Sequence, residues 1–112
     1  MELSVMDRLL ILNLDTLPKV GSIVTMKIKQ QLIDNVGFNE QESKECGIRQ
    51  DGEQVKWNPD AKTKEIEIGT IARKILIEAI DKSENLIDGY VSLYDRLQDG
   101  GNHNAQVEGG DV

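Results

Sequence analysis

The 112-residue chain holds one cysteine and one histidine. The single Cys46 rules out an intrachain disulfide, and a lone His removes most zinc sites and the usual catalytic triads. Aromatic residues make up only 4% of the chain, so Leu, Ile and Val must supply most of the buried surface. Long apolar runs are missing too. The longest, Leu9-Leu10-Ile11-Leu12, falls far short of the roughly 20 residues of a spanning helix. The first residues carry neither a basic leader nor a small-residue cleavage site, so the expected location is the cytoplasm, where a free thiol is stable. Cationic excess is also lacking. The formal charge is −7, and Asp99, Glu108 and Asp111 lie in a 99–112 stretch with no basic residue. That balance argues against a broad cationic face for nucleic acid or an anionic membrane. P-loop, dinucleotide-binding, zinc-spacing and calcium-loop motifs are all absent.

What the sequence does contain is a series of helix signals. Ser4 with Asp7 reads as a capping pair that opens a helix to about Asn13 or Leu14. Pro18 and Gly21 break it. Ser22 or Thr25 caps a second helix whose Val24, Ile28, Leu32 and Val36 recur every four residues. Gly37 stands where a left-handed terminator is expected. Asn39 with Glu42 opens a short third helix through Cys46, closed by Gly47. The period then changes to alternation. Asp51-Gly52 is a tight-turn signal, and the expected hairpin pairs Glu53–Trp57 with Lys64–Ile68, with a further short strand at Ile48–Gln50. Val55, Trp57, Ile66 and Ile68 are expected to cover the helices. Gly69-Thr70 starts a fourth helix with a stripe of Ala72, Ile75, Leu76, Ala79 and Ile80. A fifth helix, through about Gln98, carries Tyr90, Leu93, Tyr94 and Leu97. Residues 1–98 thus read as one domain and 99–112 as a flexible, acidic, glycine-rich tail.

The expected class is α+β, mostly helical, with the element order of a winged helix: three helices, a hairpin as the wing, and two appended helices. The segments LPKVGSIVTMKIKQQL, VKWNP and KEIEIGTIARKILIEAI resemble a pattern in small uncharacterised phage and prophage proteins, across about residues 5–97. The resemblance implies a phage-type accessory protein and no mechanism.

Winged-helix order raises DNA recognition, which would make the third helix the reader. It carries Glu40, Glu42 and Glu45 against Lys44, and carboxylates facing phosphates repel them. Arg49, Lys56, Lys62 and Lys64 lie on the wing, interleaved with acids. Glu65 and Glu67 read as the outer face of a strand, and Cys46 as a small filler, since His103 lies in the tail. No enzyme, cofactor or metal is expected. The expected function is a non-enzymatic protein–protein interaction module that modulates a host factor or assists virion assembly. The alternative is a winged-helix DNA-binding regulator. Partner-binding candidates are Trp57, Lys56, Lys62, Lys64, Tyr90 and Tyr94. Core packing is the competing role for Trp57 and both tyrosines. The surplus of apolar residues on the first helix also suggests a homodimer through the terminal helices.

Overall fold

The computed structural model describes residues 1–101. The chain runs β1 (Glu2–Leu3), α1 (Val5–Leu12), α2 (Ile23–Val36), α3 (Glu40–Cys46), β2 (Arg49–Asp51), β3 (Gln54–Lys56), β4 (Lys64–Glu65), α4 (Thr70–Lys82) and α5 (Asp88–Gly101). The class is α+β and mostly helical. Helices α1, α2, α4 and α5 close a ring of contacts, α1 on α2, α2 on α4, α4 on α5 and α5 on α1. Ile11, Leu76, Leu93 and Leu97 are fully buried within it. Of the two roles open to the last two helices, extra core or dimerisation, the fold gives them a large share of the core, because their apolar stripes meet the first two helices directly. Helix α5 also continues to Gly101, so residues 99–101 extend a helix where a tail was expected. The rest of that expected tail, with His103, lies outside the described residues.

The caps are local and form as the sequence directs. Ser4 Oγ accepts from Asp7 N at 3.0 Å, and Asp7 Oδ2 accepts from Ser4 N at 2.9 Å. Asn39 and Glu42 repeat the arrangement on α3, and Ser22 rather than Thr25 caps α2. Gly47 closes α3 in the left-handed region at φ 67°. Gly37 does not behave this way. Its φ of −67° is ordinary extended backbone, because a side chain satisfies the end of α2. Arg8 donates to Val36 O at 2.9 Å and to Gly37 O at 2.5 Å, which removes the need for a left-handed turn.

Strand pairing departs from expectation. Asp51 and Gln54 face each other across a two-residue loop, so β2 pairs with β3, and Gly52 takes φ 66° in that loop. A two-residue closure costs less chain entropy than the longer 57–63 connection. Strand β4 pairs instead with β1, Leu3 opposite Lys64, and Leu3 is fully buried. Ile66 and Ile68 reach the core as expected, but β2 and β3 are exposed throughout. No described helix is long and apolar enough to cross a membrane.

Candidate functional site

Met6 and Leu9 stand on the side of α1 next to its buried face. Leu10 and Ile11 go into the core, Leu9 is half-buried, and Met6 remains 41% exposed. Tyr90 of α5 is buried against α1, donating its hydroxyl to Leu10 O at 2.7 Å. Burial and the nearby Asp15 carboxylate both push the Tyr90 pKa up, so the hydroxyl keeps its proton and its bond. Gly89 makes the close approach feasible, since a β-carbon there would lie 2.9 Å from Leu10 Cδ1.

Above this contact lies a groove of about 350 Å³, walled by Met6, Leu9 and Leu10 of α1, Val55 and Trp57 of the hairpin, and Ile87 and Tyr90 at the start of α5. Its rim is neutral, with Asn13 and Asn85. The half-buried Trp57 and the exposed Val55 correct the expectation that both cover the helices. Strands β2 and β3 are exposed along their length, and Val55 of β3 and Trp57 just beyond it line the groove beside α1. Ile87 is 58% exposed, and Asp15 holds the connection ahead of it through Ser83 Oγ (3.2 Å) and Asn85 Nδ2 (3.1 Å).

The six sequence candidates separate. Trp57 and Tyr90 meet in this groove, one as wall and one as floor. Lys56 is exposed and pairs with Asp51 at 2.8 Å. Lys64 binds Glu42 at 2.8 Å, and Lys62 lines the same polar recess beside Arg8, Cys46 and Asn58. Tyr94 is half-buried, and the Asp81 carboxylate near its hydroxyl raises its pKa. Met6, Leu9, Val55 and Ile87 were not singled out as site residues. The signal for two of them was present in the apolar surplus of α1.

The recess around Glu42 joins elements together. Arg8 is 3% exposed, lies 3.8 Å over the Phe38 ring, and reaches both Glu42 oxygens at 3.3 Å. The bond from Lys64 first, and then those from Arg8 and the Asn39 amide, outweigh burial and hold the Glu42 pKa at about 2. Of the three α3 carboxylates, Glu42 is thus turned inward, while Glu40 and Glu45 are exposed. Among the described residues no cluster of three or more His, Cys, Asp or Glu is placed to hold a metal ion. Comparison with protein families, curated proteins and solved structures finds no match.

Proposed function

We propose that the protein is a non-enzymatic interaction module that offers the α1–β3–α5 groove to a partner protein. It is an accessory of the phage type, acting in the host cytoplasm on a host factor or on a virion intermediate. One observation carries the reading. Met6, Val55 and Ile87 are 41%, 39% and 58% exposed and share a single groove with Trp57. Apolar side chains gathered in this way, with an aromatic anchor and a neutral rim, match the centre of a protein interface. Duplex DNA is not the partner on this reading, because a groove free of cations offers phosphates nothing.

The test uses the protein as bait in a lysate of its host, beside Val55→Glu and Ile87→Glu. Both positions are exposed, so both variants are expected to melt like the parent. One stoichiometric protein captured by the parent and lost from both variants supports the proposal. Equal capture by all three, or no capture, overturns it. Light scattering at micromolar concentration reads the homodimer directly. A doubled mass that both substitutions abolish makes a second copy the occupant, through the terminal helices. A gel shift at ~0.15 M salt that retains duplex would replace the proposal with the DNA-binding regulator.

A further inference from the structure

A second uncovered face lies on the far edge of the helix ring, along α2 and α4. The every-four stripe of α2 is buried at Leu32 and Val36 but emerges at its start, where Val24 is 60% exposed. Ile23 beside it is 70% exposed, and Val20 in the preceding loop 86%. Across from them on α4, Ile71 is 56% exposed, although its neighbours Ala72 and Ile75 are buried. Two grooves, of about 470 and 270 Å³, run along this edge, and Ile71 lines both.

The charge of this face differs from that of the whole chain. Residues 16–33 hold Lys19, Lys27 and Lys29 and no acid, in a protein of net charge −7. Lys27 falls between Val24 and Gln31 on the same side of α2 by helical spacing. Lys74 and Lys82 line the α4 wall. The carboxylates in the grooves are Glu78 towards the C-terminal part of α4 and Glu67 before its N-terminus. Asp34 on α2 and Asp81 on α4 are exposed further along these helices. The α4 N-terminus, with no side-chain cap, adds partial positive charge to the wall.

From this charge complementarity we infer that the α2–α4 face docks an acidic amphipathic helix of another protein. Its apolar side seats on Val24, Ile28 and Ile71, and its carboxylates meet Lys27, Lys74 and Lys82. The wall formed by α4 is 13 residues long, about 20 Å, which matches three to four turns of a bound helix. A second copy of this chain fits poorly, because a two-fold contact would set these lysines against each other. The inference stands on residues separate from those of the Trp57 groove.

The probe is a synthetic helix of about 16 residues, with Leu and Phe on one face and Glu and Asp elsewhere, titrated into isotopically labelled protein and followed by amide shifts. Saturable shifts confined to the first half of α2 and to α4 are expected, weakening as salt is raised. Lys27→Glu combined with Lys74→Glu should lower affinity about tenfold, equivalent to roughly 1.4 kcal/mol. Ile71→Gln should lower it as well. All three positions are exposed, and the undisturbed spectra of the free variants will establish that they fold. Equal binding of a control peptide with Lys in place of its acids, shifts that map to Trp57, or no saturation, overturns the inference. So does sedimentation with phosphatidylserine vesicles that the acidic peptide does not compete away.

Discussion

Replacing Arg8 with methionine should be among the most damaging single changes in the protein. The side chain is 3% exposed and donates to Val36 O at 2.9 Å, to Gly37 O at 2.5 Å, and to Glu42 at 3.3 Å. Methionine keeps much of the volume over Phe38 but offers no donor. Two carbonyls at the end of α2 then lose their partner, each such charged bond contributing about 1.5–3 kcal/mol. Glu42 keeps Lys64 at 2.8 Å, so the carboxylate is weakened rather than abandoned. Loss of one member of a buried charged network costs about 3–5 kcal/mol, and that is the expected destabilisation. For a domain of this size it corresponds to a fall in Tm of about 12 °C or more. Urea unfolding followed by Trp57 fluorescence and by helical dichroism measures it, with coincident transitions as the check on two-state behaviour. Arg8→Lys should recover only part of the loss, since an ammonium cannot span the two carbonyls and the carboxylate with a planar fork. Stability of Arg8→Met within about 1 kcal/mol of the parent would refute the claim that this guanidinium terminates α2.

Further outcomes follow from other contacts. Glu42, lowered from 4.5 to about 2, contributes its full stabilisation above pH 4.5 and loses it as pH falls towards 2. The parent should therefore destabilise across that window, and Glu42→Gln should show a shallower loss in acid unfolding. Gly47 and Gly52 share nearly the same positive φ, 67° and 66°, but a β-carbon at Gly47 would meet the Asn58 side chain at 2.5 Å while one at Gly52 meets nothing within 4 Å. Gly52→Ala should cost about 1–2 kcal/mol from the backbone alone, and Gly47→Ala more, and equal costs would remove the Asn58 contact from the account. Trp57→Ala should cost less than the roughly 3–5 kcal/mol of a fully buried ring and should abolish partner capture, whereas a larger loss of stability would return Trp57 to the core.

The parts of the fold legible in the sequence are those whose cause is local. A serine or asparagine followed three residues later by a carboxylate caps its own helix, so α1 and α3 begin where Ser4 and Asn39 stand. Asp51-Gly52 closes its own turn. The parts that were not legible depend on distant residues. The left-handed end expected at Gly37 does not form, and Arg8, 29 residues away, takes the Val36 and Gly37 carbonyls instead. Strand β4 pairs with Glu2–Leu3, and two residues carry no alternation to detect. Periodicity shows which side chains share a face and not whether anything covers it. Val24 and Val36 belong to one stripe, yet one is 60% exposed and the other fully buried. For the same reason Trp57 and Tyr90 could be found as candidates while Val55 was assigned to the core. Lysines 56, 62 and 64 suggested a binding surface by their charge, but Lys56 and Lys64 spend that charge on Asp51 and Glu42.

Asp7 and Arg8, adjacent on α1, connect this packing to the proposed binding groove. Asp7 is 5% exposed and receives both terminal nitrogens of Arg96 at 2.9 and 2.6 Å, while Arg8 is held at the end of α2 and by Glu42 of α3. Burial by itself would raise the Asp7 pKa, but the bonds from Arg96 and Ser4 outweigh it and leave the pKa lowered. The carboxylate therefore remains charged and paired. Consecutive helical residues point about 100° apart, so these two charges tie α1 to different neighbours. The Tyr90 hydroxyl fixes its last turn through Leu10 O. An eight-residue helix is too short to be stable alone, and these ties together with Leu10 and Ile11 give it one position. Met6 and Leu9 are consequently presented on a helix that is already ordered, so a partner that seats on them meets little ordering cost in α1. Buried charge on one side of α1 thus sets the geometry of the apolar surface on another.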